Sequence, residues 1–319
     1  MAKPTLYVSR LLAAPVMAAI RARFRLALEP DAMPPSRDTL LKGLHEAEAI
    51  IATLTEQLDE PLLQAAPRLK VIANHAVGYN NIDLRAAKAR GLIVTNTPDV
   101  LTDATADLTW ALLLATARRV TEGHRLVQTG AWTGWEPTQL LGAEVTGQTL
   151  GVIGMGRIGE AVARRAMGFG MTVLYTSHKS VSSPDPMKPW QQVTLEALLR
   201  QSDFISLHVP LTADTHHLIG EQAFSLMRPT AILLNTSRGP VVDEAALVAA
   251  LKAGNLAGAG LDVYEDEPRV HPGLLTLPHV VTLPHLGSAT LGTRVRMGLL
   301  CVENVLAVLE GRPAPNRVI

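Results

Sequence analysis

Cysteine is nearly absent from this 319-residue chain, charge is sparse, and no long hydrophobic run occurs. The single thiol, Cys301, has no intrachain partner for a disulfide and excludes a cysteine-based metal site. One cysteine is compatible with a reducing compartment, and a cytoplasmic protein is expected. Charged residues are 18% of the total, against about 25% in an average soluble protein, which argues against solvated low-complexity tracts. Lys plus Arg and Asp plus Glu number 29 each, so the zero net charge carries no footprint of nucleic-acid binding. The longest apolar run, Leu108 to Ala117, stops at Arg118-Arg119 after about ten residues, where a membrane span needs roughly 20. Leu11 to Ile20 could imitate the core of a signal peptide. Arg21, Arg23 and Arg25 follow where small residues of a cleavage site belong, so a strand feeding an amphipathic helix is expected instead.

What is present suffices for two cores: 47% hydrophobic residues over a length near twice the usual domain of about 150. Short β-branched runs alternate with helical stretches, the pattern of α/β domains with a parallel sheet covered on both faces. Strands are expected at Thr5–Ser9, Ile50–Leu54, Val71–Ala73 and Ile93–Thr95, with helices at Ser36–Leu44, Glu60–Ala66 and Asp83–Arg90. A second series places strands at Leu150–Ile153, Thr172–Tyr175, Phe204–Leu207, Ala231–Leu234, Ala259–Val263 and Val280–Thr282. Helices are expected between them at Arg157–Phe169, Leu195–Gln201 and Glu244–Ala253, and Ser180 to Pro189 reads as a loop. Thr102 to Arg119 predicts a helix apolar on nearly every side, which calls for burial all round, within the protein or between subunits.

The sharpest local signal is Gly154-x-Gly156-x-x-Gly159, between a strand and a helix. Gly154 permits a tight turn, Gly156 lets backbone approach a pyrophosphate, and Gly159 brings helix and strand together. Nucleotide binding is expected. An acidic residue about 20 positions on would hold the ribose hydroxyls of NAD. Here the strand end reads Tyr175-Thr-Ser177-His178-Lys179-Ser180, and the next acid is Asp185. Hydroxyls and two basic side chains suit a 2′-phosphate, so NADP(H) is preferred, with NAD(H) as the other option.

Three further residues follow successive strand ends: Arg238, Glu267 and His285. The carboxyl ends of strands form the ligand crevice of an open α/β sheet, so these could converge on a nicotinamide. The segments Asn74-His-Ala-Val-Gly-Tyr-Asn-Asn-Ile-Asp83, Thr102–Arg119, the glycine loop, His208-Val-Pro-Leu-Thr212 and the three just described together resemble the D-isomer-specific 2-hydroxyacid dehydrogenases. Gly130-Ala-Trp-Thr-Gly-Trp-Glu-Pro137 and the missing acid near Ser177 are most similar to the glyoxylate and hydroxypyruvate reductases among them.

The resemblance implies a Rossmann nucleotide domain, residues 98–286, inserted into a flavodoxin-like outer domain of residues 1–97 plus 287–319. It also implies a homodimer built on the Thr102–Arg119 region, acting on a small 2-keto or 2-hydroxy acid. Arg238 would fork onto the substrate carboxylate and carbonyl, His285 would protonate the developing alkoxide, and Glu267 would orient the imidazolium. Backbone N–H groups of Val77 and Gly78 would complete the carboxylate pocket. Asn80 departs from the usual Asp without touching that role. Trp135 would reach the neighbouring subunit's site or serve dimer packing alone, and loops near Leu54 and Leu101 would set pocket width. For the cofactor, the resemblance points to Arg157 and Ile158 at the pyrophosphate and to Ser177, His178 and Lys179 at the adenosine end. Val209, Pro210 and Thr215 would lie along ribose and adenine, and Thr105, Thr236, Asp262 and Gly287 near the nicotinamide. Asp262 reads equally as a structural strand-end residue. The adjacent His216-His217 has poor metal-ligand geometry, and no metal site is expected. Alternatives are a 2-ketogluconate reductase and, from another class, a nucleotide-sensing protein like the related corepressors.

Overall fold

The computed structural model describes residues 3–181, 183 and 190–319, so most of the expected loop at Ser180–Pro189, Asp185 included, lies outside the described residues. The chain divides into two compact units, Met1–Leu101 with Ser288–Ile319, and Thr102–Gly287.

The first unit holds five parallel strands: β1 (Thr5–Val8), β2 (Arg25–Leu26), β3 (Ala49–Ala52), β4 (Val71–Asn74) and β5 (Ile93–Thr95). Their order, β2-β1-β3-β4-β5, is that of flavodoxin-like sheets. Every residue of β1, β3 and β4 is buried, because a parallel sheet sandwiched between helices has no wet face and needs continuous rather than alternating apolar runs. Tyr7, Leu44, Leu62 and Ile72 belong to the core on one side. Val16 and Ile20 of helix Ala14–Arg23 and Cys301 and Val305 of helix Leu291–Leu309 belong to the core on the other. Ser36, Asp59 and Asp83 each accept a hydrogen bond from a first-turn N–H, and this fixes where three helices begin. The expected starts at Ser36 and Asp83 counted the cap as helix; the helices are Arg37–Glu46 and Leu84–Ala89.

The second unit holds seven parallel strands: β6 (Thr149–Ile153), β7 (Thr172–Thr176), β8 (Gln191–Gln192), β9 (Phe204–Leu207), β10 (Ile232–Asn235), β11 (Gly258–Leu261) and β12 (Val280–Thr282). Their order is β12-β11-β10-β9-β6-β7-β8, the doubly wound nucleotide-binding arrangement with one extra strand at the edge. Winding reverses between β6 and β9, and the crevice at the carboxyl ends of that pair is where such sheets take ligands.

Two expectations need correction. The helix expected to Arg119 ends at Ala117, because Arg119 turns left-handed (φ 52°) and starts a separate helix, Val120–Gln128, with no buried residue. Nor is the first helix buried all round within the chain. Thr105, Thr109, Trp110, Leu112 and Leu113 face inward, with Trp110 Nε1–H donating to Val162 O and its ring stacked on Phe169. Asp103, Asp107 and Ala111 form an exposed stripe, and Arg165 binds both aspartates. Strands β2 and β8, of two residues each with no buried position, leave no hydrophobic signal to read.

Candidate active site

The glycine loop has the shape its sequence requires. Gly154 adopts φ +95°, and a Cβ there would come within 2.7 Å of the His208 carbonyl and 2.8 Å of Val209 Cγ1. At Gly159 a Cβ would overlap the Gly154 carbonyl oxygen. At Gly156 it would meet nothing within 4 Å, so this side of the loop is open. Helix Arg157–Ala166 begins at Gly156 with no side-chain cap, and the N–H groups of its first turn, starting with Arg157 and Ile158, face no competing oxygen from a cap. An open cradle over an uncapped helix N-terminus fits a dinucleotide's pyrophosphate.

On one side of that loop, β7 ends at Thr176 without a carboxylate. Ser177 O accepts from Gln192 Nε2 (2.8 Å), Ser177 Oγ accepts from Lys179 N (3.3 Å), and the His178 and Lys179 side chains are exposed. On the other side, Thr215 Oγ1 donates to Pro210 O (2.6 Å) and accepts from Thr212 N (2.8 Å), so its hydroxyl shapes the loop that begins at Val209-Pro210. His208 bonds Ser206 Oγ through Nε2 (2.8 Å), and burial pushes its imidazole down to about 3.

Arg238, Glu267 and His285 converge beyond β10, β11 and β12. Asn235, the last residue of β10, clamps the turn that presents Arg238. Its Oδ1 accepts from Ser237 N and Oγ, and its Nδ2 donates to Arg238 O (2.8 Å). Gly239 is required next, since a Cβ there would overlap the Tyr264 carbonyl and the Glu265 N. His285 Nδ1 lies 2.8 Å from Glu267 Oε2, while Glu267 Oε1 accepts from Tyr264 N (3.2 Å). Burial pushes the Glu267 carboxyl up, but the His285 hydrogen bond and charge, the Tyr264 N–H and the Arg238 charge outweigh it and hold it below its ordinary value. Burial lowers Arg238, and the Glu267 charge pulls it back in part. The site therefore carries a cation, a carboxylate and an imidazole with Nε2 not engaged by Glu267.

Asp262 supports this cluster from below. Its Oδ1 accepts from Leu286 N (2.7 Å), its Oδ2 from Gly287 N (2.8 Å), and its carbonyl from His285 N (3.0 Å). The turn carrying His285, left-handed at φ 55°, is thus held at three points by one buried residue. Burial raises the Asp262 carboxyl against the N–H groups and His285, which lower it. The nicotinamide-side expectations gather here as well. A Cβ at Gly287 would lie 3.5 Å from both Asp262 Oδ2 and Thr105 Oγ1, and Thr236 Oγ1 bonds Thr109 Oγ1, which donates to Thr105 O.

In the first unit, the Ala76–Tyr79 turn has its carbonyls pinned one by one. Ala76 O accepts from Thr97 N (3.0 Å), Val77 O from Asn96 Nδ2 (2.8 Å) and Gly78 O from Asn74 Nδ2 (2.7 Å). In a trans peptide the next N–H points away from the carbonyl, so these bonds turn the N–H groups of Val77, Gly78 and Tyr79 away from the acceptors that pin the turn. Leu54 is half-buried in the turn after β3, and Trp135 is 82% exposed. Asn74, Asn96, Asn235, Gly239 and Tyr264 went unremarked as site residues in the sequence. An Asn closing a strand beside a glycine turn is the signal that could have found two of them, Asn74 and Asn235. Among the described residues, no group of three His, Cys, Asp or Glu is placed to hold a metal ion.

Residues 110–287 match the model of the D-isomer specific 2-hydroxyacid dehydrogenase NAD binding domain. The chain is 47% identical to glyoxylate reductase of Thermococcus litoralis, over 99% of this chain and 97% of that one. Its fold is similar to the TT0316 protein of Thermus thermophilus (TM-score 0.92, 46% identity, 99% and 100% of the two chains). It is also similar to the NADPH-dependent glyoxylate/hydroxypyruvate reductase of Sinorhizobium meliloti, solved with NADP and malonate (TM-score 0.87, 35% identity, 99% and 97%).

Proposed function

The chain belongs to the D-isomer-specific 2-hydroxyacid dehydrogenases, and on that premise we propose that it reduces a small 2-keto acid, glyoxylate or hydroxypyruvate, to the 2-hydroxy acid with NADPH preferred over NADH. The observation that carries the reading is the His285–Glu267 pair, 2.8 Å apart beside Arg238 at the carboxyl ends of the sheet. A nicotinamide dinucleotide on the Gly154–Gly159 cradle supplies the hydride. The chain's own groups do the rest. Arg238, whose guanidinium forks onto planar anions, grips the keto acid's carboxylate and carbonyl oxygen. His285 holds the proton at Nε2 and delivers it to the oxygen that gains charge, a contribution of about 10²–10⁴ in rate. Glu267 fixes the ring through Nδ1 and stabilises the charged imidazolium. The N–H groups of Val77 and Gly78, in a turn whose carbonyls are all engaged, are suited to a carboxylate.

The absence of an acid at the end of β7 and the exposed Lys179 and His178 support the NADPH preference. Val120, Val127, Trp132, Trp135 and Leu141, all exposed in one stretch of chain, support a homodimer in which a second copy covers them. The test is initial rates of NADPH and NADH oxidation with glyoxylate, hydroxypyruvate and 2-ketogluconate. Fast NADPH oxidation with either of the first two is expected. Turnover with NADH alone removes the reading of Ser177–Lys179. Nucleotide binding without turnover of any keto acid favours a sensor.

A further inference from the structure

The turn that carries Glu267 holds a second histidine–carboxylate pair. His217 Nε2 lies 2.8 Å from Glu265 Oε1, two residues before Glu267. Glu265 is itself cross-linked to helix Glu244–Lys252 by a reciprocal pair: Glu265 Oε1 accepts from Glu244 N (3.1 Å), and Glu244 Oε1 accepts from Glu265 N (2.9 Å). Glu244 is buried, and burial raises its carboxyl. His217 reaches this point from the far side, on a residue with left-handed backbone (φ 50°) and its ring stacked on His216 at 4.0 Å. Its own N–H donates to Pro240 O (2.8 Å), two residues past Arg238, and Ile219 N donates to Val241 O (3.1 Å). One histidine thus ties together the loop after β9, the loop that presents Arg238 and the turn that presents Glu267.

We infer that His217 is a positioning residue for the reduction: through Glu265 it holds the Tyr264–Glu267 turn so that Glu267 meets His285, and through Pro240 it holds the Arg238 loop against the same turn. The close approach of Gly239 to the Tyr264–Glu265 peptide makes the arrangement unforgiving, since neither loop can shift without colliding with the other or leaving a gap. The strained backbone is a local cost met by no substrate or nucleotide contact of His217 in this reading, which is what a residue kept for placement looks like. The groups facing the pair are His216, Asp243, Glu244 and His271; those facing His285 are Glu267 and Asp262, with Arg238 beside Glu267.

The inference rests on the proposed role of His285 and Glu267, so the test includes Glu267→Gln. Rates of keto-acid reduction are measured against pH for wild type, Glu267→Gln, His217→Ala, His217→Gln and Glu265→Gln, with dissociation constants for NADPH. In wild type, activity falls as pH rises, because the reduction consumes a proton. His217→Ala is expected to lower kcat between about threefold and thirtyfold, since a misplacement of about 1 Å costs up to ~10². It should also shift the alkaline fall of the rate profile, because a displaced Glu267 no longer fixes the His285 ring at Nδ1, and leave the NADPH dissociation constant within about twofold. His217→Gln keeps an N–H for Glu265 and is expected to restore both. Loss of stability alone would lower the yield of active protein without moving the pH profile. If His217→Ala does not fold, Glu265→Gln, which weakens the pair without shortening any side chain, must move the fall in the same direction. A fall that moves in Glu267→Gln but not in the His217 and Glu265 variants overturns the inference alone. An unmoved fall in Glu267→Gln removes the reading beneath it, and the inference with it.

Discussion

Acid should destabilise this protein through His75 in a way that one substitution can isolate. His75 follows β4, is 4% exposed, and bonds Arg294 O through Nε2 at 3.3 Å. Burial, against a smaller upward pull from that bond, pushes its imidazole down from 6.5 to about 4. Above about pH 6.5 the ring is neutral in folded and unfolded chains alike. As pH falls below that value the unfolded chain binds a proton that the folded chain refuses until near pH 4, so stability is lost across this window. At about 1.36 kcal/mol per pH unit, going from about pH 7.5 to about pH 4.5 removes about 2.5 kcal/mol through this one group. His75→Gln keeps an N–H for Arg294 O and cannot titrate, so its stability should fall by about that much less over the same interval. All four tryptophans lie in the second unit, so their fluorescence follows that unit. Urea unfolding is therefore best followed by circular dichroism, with hydrogen exchange on peptides covering 71–78. Equal losses in wild type and His75→Gln would refute the reasoning.

Asn96→Ala strips Val77 O of its side-chain donor, which costs about 1–3 kcal/mol and frees the Gly78 N–H to turn. KM for the keto acid should rise about tenfold or more while kcat changes less, as measured by steady-state kinetics. Gly239→Ala places a Cβ on the Tyr264 carbonyl, so kcat/KM should fall about 10²-fold while the melting temperature drops by only a few degrees. Lys179→Ala should raise KM for NADPH about tenfold, the loss expected for a charge-assisted hydrogen bond, and leave KM for NADH nearly unchanged.

The sheet was legible because buried parallel strands write themselves as nearly unbroken apolar runs, as in Ala49-Ile-Ile-Ala52, and in Phe204-Ile-Ser-Leu207 with one small polar residue. Phe204–Leu207, Ile93–Thr95 and Val280–Thr282 have the expected bounds, and the other expected strands differ by a residue or two at one end or both. The glycine loop was legible because each glycine answers a separate steric demand. What stayed hidden depends on distance in three dimensions. Nothing local to Gly239 announces that Tyr264 lies against it, and nothing in Asn96 names Val77 as its partner. The exposed stripe of helix Thr102–Ala117 escaped notice because Ala111 counts as apolar wherever it faces, and because Arg165, which binds both aspartates, lies on another helix.

The first unit is assembled from the two ends of the chain, and this has a consequence for synthesis. Helix Leu291–Leu309 shares a core with Val71 and Ala73 of β4, yet it follows the whole of Thr102–Gly287. At about 5–20 residues per second, a ribosome needs on the order of 10–40 s to make that intervening stretch. For that interval part of one face of β1–β5 stays bare, and by its end the second unit has every strand it needs. The later-made unit is therefore the one that can finish folding first, and the nascent amino-terminal sheet is the segment a chaperone would have to shield.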